Sequence, residues 1–336
     1  MLTRCFELEA RHRHHEGRPL MKAVRFHEHG DSGVLRYEDA EQPVPAAGEA
    51  RVRVAATSFN PVDGGIRGGY LQGPFPVTLP HVPGIEVSGT VDAIGEGVSN
   101  VAVGDAVVGF LSMTADGASA EYVVTPAEFL APAPTSIPLA DAAALPMVGL
   151  TAYQALFDDA GLQAGQRVLI NGAGGAVGGY AVQLAKHAGA YVIATASPRS
   201  EGRVRSAGAD EVIDHTTTAV ADAVIEPVDV LLNLARIDAD ALVALATLVR
   251  SGGVVLNSVP MIPTPADEAR GVRGVGIFVR SDADQLSRLV GLVDRGELRV
   301  DVAQRVPLAE LPAVHAKDDA GEPSGRVVVV VVEHQN

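Results

Sequence analysis

The stretch RVLINGAGGAVGG, residues 167–179, decides how the rest of the chain is read. A short apolar run, Val168–Leu169–Ile170, meets a glycine cluster, and a segment with helical spacing follows. Strand, glycines and helix in that order suit a dinucleotide pyrophosphate. Glycines let the backbone approach the phosphates, and the helix start offers unpaired N–H groups and a positive dipole end. A strict G-x-G-x-x-G is absent, because counting from Gly172 puts Val177 at the third glycine position. Shifted by one residue, Ala173, Gly175 and Gly178 form an A-x-G-x-x-G variant, with Gly174, Ala176 and Val177 between them.

The surroundings test that reading. Val177, Ala181, Leu184 and Ala188 mark one helix face, and Gly189 closes the helix. Short apolar runs then recur at residues 191–195, 211–214, 229–234, 253–258 and 275–279, most of them separated by helical stretches such as 238–249. With 168–171 this makes six strands. Alternating strands and helices predict a doubly wound parallel sheet with right-handed crossovers. Upstream, Asp141 is placed to cap a helix over 142–157, interrupted by Pro146 and Gly149.

Residues 21–144 read differently. Strand-like runs at 22–26, 34–37, 50–57, 83–95, 105–110 and 119–124 are punctuated by Gly and Pro. At 50–57, Val52, Val54 and Ala56 alternate with Arg51 and Arg53, the period of a half-buried strand. After a helix capped by Ser281 or Asp282, carrying Leu286, Leu289, Val290 and Val293 and closed by Gly296, comes a valine-rich strand at 326–332 with no helix behind it. It suits a return to the first β-rich region. The expected organisation is a disordered extension over 1–20, a mostly β domain over 21–144 completed by 281–336, and a nucleotide domain over 145–280.

Composition narrows the function. The chain has 336 residues with 26 Lys and Arg against 41 Asp and Glu, a formal charge of −15. Such a charge repels nucleic acid and anionic lipid, so neither is expected as a partner. The single cysteine, Cys5, allows no internal disulfide and fits a reducing, cytoplasmic setting. No apolar run approaches the roughly 20 residues that span a bilayer. His12, His14 and His15 sit in a segment with little to fix a ligand geometry, so no metal is expected there.

Cofactor choice turns on the tip of the second nucleotide strand. A carboxylate there accepts from the ribose 2′-OH of NAD. Here the strand runs out as Ala196–Ser197–Pro198–Arg199, with Arg203 close behind and Glu201 the only nearby acid. Hydroxyl and guanidinium donors suit a 2′-phosphate, so the expected cofactor is NADP(H). The alternative is that Arg199 and Arg203 form a solvated helix face.

Several motifs in one order resemble a known family. They are Asn60–Pro61–Val62–Asp63, Arg67–Gly68–Gly69–Tyr70, PGIEVSGTVDAIGEGV at 83–98, ALPMVGLTAYQAL at 144–156, NGAGGAVG at 171–178 and SGRVVV at 324–329. Together they resemble the zinc-independent quinone oxidoreductases, the ζ-crystallin-like branch of the medium-chain dehydrogenase/reductase superfamily. The resemblance implies a GroES-like catalytic domain beside a Rossmann domain. Zinc alcohol dehydrogenases carry a Cys before the first acidic motif and a Gly-His-Glu. Asn60 and Ile85 stand at those places here, and the four-cysteine lobe is missing, so no metal is expected.

The resemblance further implies Asn60, Asp63 and Tyr70 as the polar site, with Tyr70 donating to the acceptor oxygen. Each also has a plain structural reading, as turn opener, helix cap and loop packing. Thr151, Ser258, Phe278, Val279 and Arg326 are implied cofactor neighbours, and His215 stands where many relatives have a tyrosine near the adenosine. The implied activity is metal-free hydride transfer from NADPH to a quinone or activated C=C bond, in a homodimer joined by its nucleotide-domain sheets. An enoyl reductase of secondary metabolism is the alternative among enzymes, and a non-catalytic, crystallin-like NADPH-binding protein is the alternative outside them.

Overall fold

The computed structural model of the protein describes residues 19–322 and 325–331. The expectations for residues 1–18, including Cys5, His12, His14 and His15, and those for Ser324 and Val332, lie outside the described residues.

β1 (Leu20–Phe26) pairs antiparallel with β2 (Leu35–Glu41). β3 (Glu49–Ser58) is the spine of the first lobe, and its side chains alternate as expected from Glu49 to Val54; the alternation predicted on to residue 57 fails, because the register shifts between Val54 and Ala56 and Ala55–Ser58 are all buried. Ala50, Val52 and Val54 join the buried cluster with Val87, Val91 and Val107. Arg51 points the other way and forks onto Asp92 at 2.9 Å through both Nε and Nη2. Helix α1 (Pro61–Arg67) follows, with Pro61 in its first turn, where a missing N–H costs nothing. β4 (Glu86–Ile94), β5 (Ala106–Phe110), β6 (Tyr122–Pro126) and β7 (Leu130–Pro132) complete the antiparallel sheet.

A 3₁₀ turn (Asp141–Ala144) leads into α2 (Pro146–Tyr153), which runs on as a π-helical segment, Gln154–Asp159. Asp141 does not cap this helix. Its carboxylate instead takes both guanidinium bonds of Arg305, each 2.7 Å, while Pro146 restarts the helix five residues later.

The second lobe is the doubly wound sheet the sequence predicts. Its elements are β8 (Arg167–Asn171), α3 (Ala176–His187), β9 (Tyr191–Ala196), α4 (Glu201–Ser206), β10 (Glu211–Asp214), α5 (Val220–Ala223), β11 (Val228–Asn233), α6 (Ala239–Ala246), β12 (Val249–Asn257) and β13 (Arg273–Gly276). The strand order is β10-β9-β8-β11-β12-β13, all parallel, so the order reverses between β8 and β11. Ligands bind at such a switch point, beyond the carboxyl ends of the strands. Within β8, Val168 and Ile170 enter one apolar cluster and Leu169 the opposite one. The sixth strand ends earlier than its expected 275–279. Ile277 N–H makes the last bond to β12, at Asn257 O, 2.8 Å, so Phe278 and Val279 lie beyond it.

α7 (Ala283–Asp294) is capped by Asp282, whose Oδ1 accepts from Gln285 N at 2.9 Å. β14 (Gln304–Pro307) and α8 (Leu311–Asp319) lead to β15 (Val327–Val330), which pairs antiparallel with β3. The C-terminal strand thus rejoins the first sheet, as its missing helix suggested. One apolar cluster runs through both lobes, with Ile85, Val108 and Phe110 packed alongside Leu145, Val148, Val168 and Ile170.

Candidate active site

The glycine loop is shaped by what its neighbours exclude. A Cβ on Gly178 would lie 2.5 Å from Ala173 Cα, and one on Gly174 would lie 2.5 Å from Ser200 Oγ. Gly172 adopts φ +92°, a region that side chains disfavour. Gly175 is the N-cap of α3 without a side-chain cap, and the N–H groups of Ala176, Val177 and Gly178 have no protein partner among the described residues. Backbone can therefore approach a phosphate, and three donors await one. The loop fits a dinucleotide pyrophosphate.

Beneath this loop an amide ladder crosses the carboxyl edge of the sheet. Three strands end on asparagine in register: Asn171, Asn233 and Asn257. Asn171 Nδ2 donates to Asn233 Oδ1 at 2.8 Å, and Asn233 Nδ2 donates to Asn257 Oδ1 at 2.9 Å. Thr195 Oγ1, from β9, donates to Asn171 Oδ1 at 2.9 Å and accepts from Gly172 N at 2.8 Å. At the other end, Asn257 Nδ2 donates to the carbonyls of Val259 and Ile262, around Met261 at φ +68°. All four polar side chains are buried, so the ladder fixes the glycine loop and the loop after β12 relative to each other. Ser258 belongs to that loop and donates from Oγ to Asn233 O at 3.2 Å.

At the β9 tip, Arg199 is exposed and makes no ion pair or hydrogen bond among the described residues. Arg203 reaches the glycine loop, donating from Nη2 to Gly174 O at 3.4 Å. Glu201 is held by Arg205 at 2.8 Å, and a second acid, Asp214, ends β10 in register with Ala196, its Oδ1 accepting from Thr216 N at 2.9 Å and Thr216 Oγ1 at 2.6 Å. Ser197 and Ser200 bond each other, with Ser200 Oγ accepting from Ser197 N at 3.1 Å. His215 is exposed at the adjoining tip of β10, where its N–H donates to Ala196 O at 3.2 Å.

The other side of the site is organised by a residue without an assigned role in the sequence reading, Glu86. Its fully buried carboxylate accepts from Ser58 Oγ (2.5 Å), Asn60 Nδ2 (2.7 Å), Met147 N (2.7 Å) and the guanidinium of Arg326. Arg326 also donates to Asn60 Oδ1 at 2.7 Å, Phe59 O at 3.2 Å and Ala144 O at 3.3 Å. Ala144 O accepts from Tyr180 Oη too, at 3.0 Å, which ties the cluster to the first turns of α3. Asn60 and Arg326 are thus brought together, with all their strong polar atoms engaged inside the protein.

Asp63 is buried next to them. Its carboxylate accepts from Asn60 N at 2.9 Å and Gly84 N at 3.2 Å. Burial pushes the carboxyl up to about 7 despite those two donors. Thr151 is buried on α2 and spends its hydroxyl proton on Met147 O at 2.7 Å. Tyr70 stands apart from this cluster. Its ring lies over Gly68, where a Cβ would sit 2.6 Å from Tyr70 Cε2, and it is 87% exposed. Val279 is buried, whereas Phe278 is 70% exposed.

Among the described residues no group of three or more His, Cys, Asp or Glu is arranged to hold a metal ion, and no helix is long and apolar enough to cross a membrane. Ile85, at the position discussed for a zinc-binding histidine, is buried in apolar surroundings.

Sequence and structure comparisons bear on the fold and the family. Residues 46–135 match the alcohol dehydrogenase GroES-like domain, and residues 207–329 match a family described as zinc-binding dehydrogenase. The chain is 32% identical over 330 residues to the chloroplast envelope quinone oxidoreductase homolog of Arabidopsis thaliana, covering 92% of this chain and 98% of that one. The solved quinone oxidoreductase of Coxiella burnetii superposes with a TM-score of 0.84 at 28% identity, covering 94% of this chain and all of that one. The CurK enoyl reductase superposes with a TM-score of 0.80 at 25% identity, covering 92% and 99%. The chain belongs to the ζ-crystallin-like quinone oxidoreductase family of the medium-chain dehydrogenase/reductase superfamily, nicotinamide-dependent oxidoreductases that join a GroES-like domain to a Rossmann domain.

Proposed function

We propose that the protein is a metal-free NADPH-dependent reductase of quinones or activated C=C bonds. The observation that carries the cofactor choice is the β9 tip. Among the described residues Arg199 is unpaired there, Glu201 is held by Arg205, and Asp214, beside the tip at the end of β10, accepts from Thr216 N and Oγ1. Arg199, Arg203 and Ser197 are the donors for a 2′-phosphate, and His215 flanks them. The N–H groups of Ala176, Val177 and Gly178 hold the pyrophosphate, over the backbone of Ala173, Gly174 and Gly175. Thr151, Ser258, Phe278 and Val279 flank the reacting end.

The bound dihydronicotinamide supplies the hydride. The protein then has to meet negative charge growing on the acceptor oxygen. Of the three polar residues implied at the site, Tyr70 is the one a ligand reaches, so its hydroxyl is assigned as that donor. Asn60 and Asp63 act from beneath. Asn60 and Arg326 lock onto Glu86, and Asp63 ties α1 to Gly84, so the segment carrying Tyr70 leaves a fixed base. With Asn60 and Ile85 in place of thiolate and imidazole, the oxygen is polarised without zinc.

An enoyl reductase shares every element of this reading except the acceptor, and the likeness to one such enzyme keeps it as the second reading. The same reading includes a homodimer, supported by β13 at the open edge of its sheet, and a cytoplasmic setting. The test is NADPH oxidation against a panel of quinones, 2-alkenals and enoyl thioesters. Turnover of quinones or alkenals supports the proposal. Confinement to enoyl thioesters selects the second reading, and NADPH binding without any turnover leaves a crystallin-like binding protein.

A further inference from the structure

Beyond Ile277, whose N–H donates to Asn257 O at 2.8 Å, the chain has left the parallel sheet, and its peptide groups need other partners. For Arg280 one side chain supplies both. Arg280 N donates to Gln154 Oε1 at 3.0 Å, and Gln154 Nε2 donates to Arg280 O at 2.9 Å. The amide stands in for a neighbouring strand. Its orientation follows from the backbone, since a peptide N–H only donates and a peptide carbonyl only accepts.

Gln154 is itself held. It is buried where α2 runs on into the π-helical segment, three residues after Thr151 on the same helix. The second amide proton goes to Gln285 Oε1 at 2.9 Å, in the first turn of α7. Gln285 Nε2 donates to Asp158 Oδ2 at 2.9 Å, and the same carboxylate oxygen accepts from Arg280 Nη2 at 2.6 Å. Gln154 and Asp158 therefore grip Arg280 by its main chain and its side chain. A buried amide is a costly way to fill space, and here it satisfies two peptide groups that an apolar residue of its size would strand.

Phe278 and Val279 lie between the pins at Ile277 and Arg280, just past the carboxyl end of β13, the edge at which doubly wound sheets bind ligands. Gln154 thus joins two walls of one site. Thr151 is on its own helix, and Val279 is reached through Arg280. We infer that Gln154 is a positioning residue for the reacting end of the cofactor, holding the 277–280 segment at a set distance from Thr151. The inference rests on the NADPH reading of the site and deepens it. Gln154 acts through Arg280, because its amide protons are both engaged inside the protein. A shift of about 1 Å between such walls is enough to cost about 10²-fold in rate.

The test compares wild type, Gln154→Met and Gln154→Glu, which both lose the donor to Arg280 O. Kd is measured for NADPH and for 2′,5′-ADP, which carries the 2′-phosphate and no nicotinamide, and kcat is measured with 1,4-naphthoquinone. Each variant is expected to raise Kd for NADPH or lower kcat by about tenfold or more, while Kd for 2′,5′-ADP stays within about twofold. Binding of 2′,5′-ADP by the same preparation shows that the nucleotide lobe is folded. Should Gln154→Met fail to fold, Gln154→Glu, of the same size, decides. NADPH Kd and kcat both within about twofold of wild type overturn the inference. A parallel rise in both Kd values also overturns it, because that marks a general loss of structure. A wild type that binds 2′,5′-ADP no better than 5′-AMP removes the NADPH reading and the inference that rests on it.

Discussion

Glu86 and Arg326, 240 residues apart in the chain, meet in the interior where β4 passes the returning C-terminal segment. The pair closes the first sheet onto the start of α3, because Arg326 and Tyr180 share the carbonyl of Ala144. Taking two charges out of water costs several kcal/mol per ion, which four donors on one carboxylate offset here. Removing one partner strands the other. Arg326→Met should lower stability by about 3–5 kcal/mol in urea unfolding, and Glu86→Leu with Arg326→Met should cost less than the sum of the singles. Additive losses contradict the pairing.

The amide ladder has a sharper test. Asn233→Leu keeps the branched shape but leaves Asn171 Nδ2 without its partner and Asn257 Oδ1 with Val259 N alone, in a place with no solvent. One unsatisfied buried donor costs about 1–3 kcal/mol, so the midpoint of thermal unfolding should fall clearly. If the ladder also sets the glycine loop, Kd for NADPH rises in the same variant, measured well below its melting temperature. A stability loss with unchanged Kd would restrict the ladder to a structural role.

Asp63 gives a pH signature. Burial raises its folded pKa to about 7, above the unfolded value near 3.8, so the native state holds the extra proton between those values. Its contribution to stability is complete below about pH 4 and is lost as pH rises through about 7, with a slope of at most about 1.4 kcal/mol per pH unit. Asp63→Asn should flatten the stability profile between pH 4 and 7 relative to wild type. An unchanged slope removes Asp63 as its source.

Tyr70 is expected to separate chemistry from folding. At 87% exposure its hydroxyl supports no packing, so Tyr70→Phe should leave the unfolding midpoint in place. Losing the one donor to a developing oxyanion should cut kcat on the order of 10²-fold. An intact kcat on every accepted acceptor rules Tyr70 out as that donor.

Much of the fold was legible because its signals are local. The two-residue alternation at 50–54, the strand and glycine order at 167–179 and the unaccompanied valine strand at the end each name their own environment. The site was legible only in part. Asn60, Asp63 and Arg326 were named, but not that Asn60 and Arg326 converge on Glu86, because the Glu86 bonds reach 28, 26, 61 and 240 residues along the chain. One signal was present and unused: VLIN, VLLN and VVLN each end an apolar strand on asparagine. Parallel strands of a doubly wound sheet bring such ends into register, which predicts a ladder.

Cofactor discrimination tests the central claim most directly. The measurement is kcat/KM for NADPH and for NADH with 1,4-naphthoquinone, on chelator-treated protein, in wild type and Arg199→Ala. The account predicts turnover that survives chelation and a preference for NADPH. Arg199→Ala should reduce that preference by about 1.5–3 kcal/mol, the worth of a charged hydrogen bond, with NADH rates unaffected. A preference for NADH, or activity abolished by the chelator and restored by zinc, would contradict it.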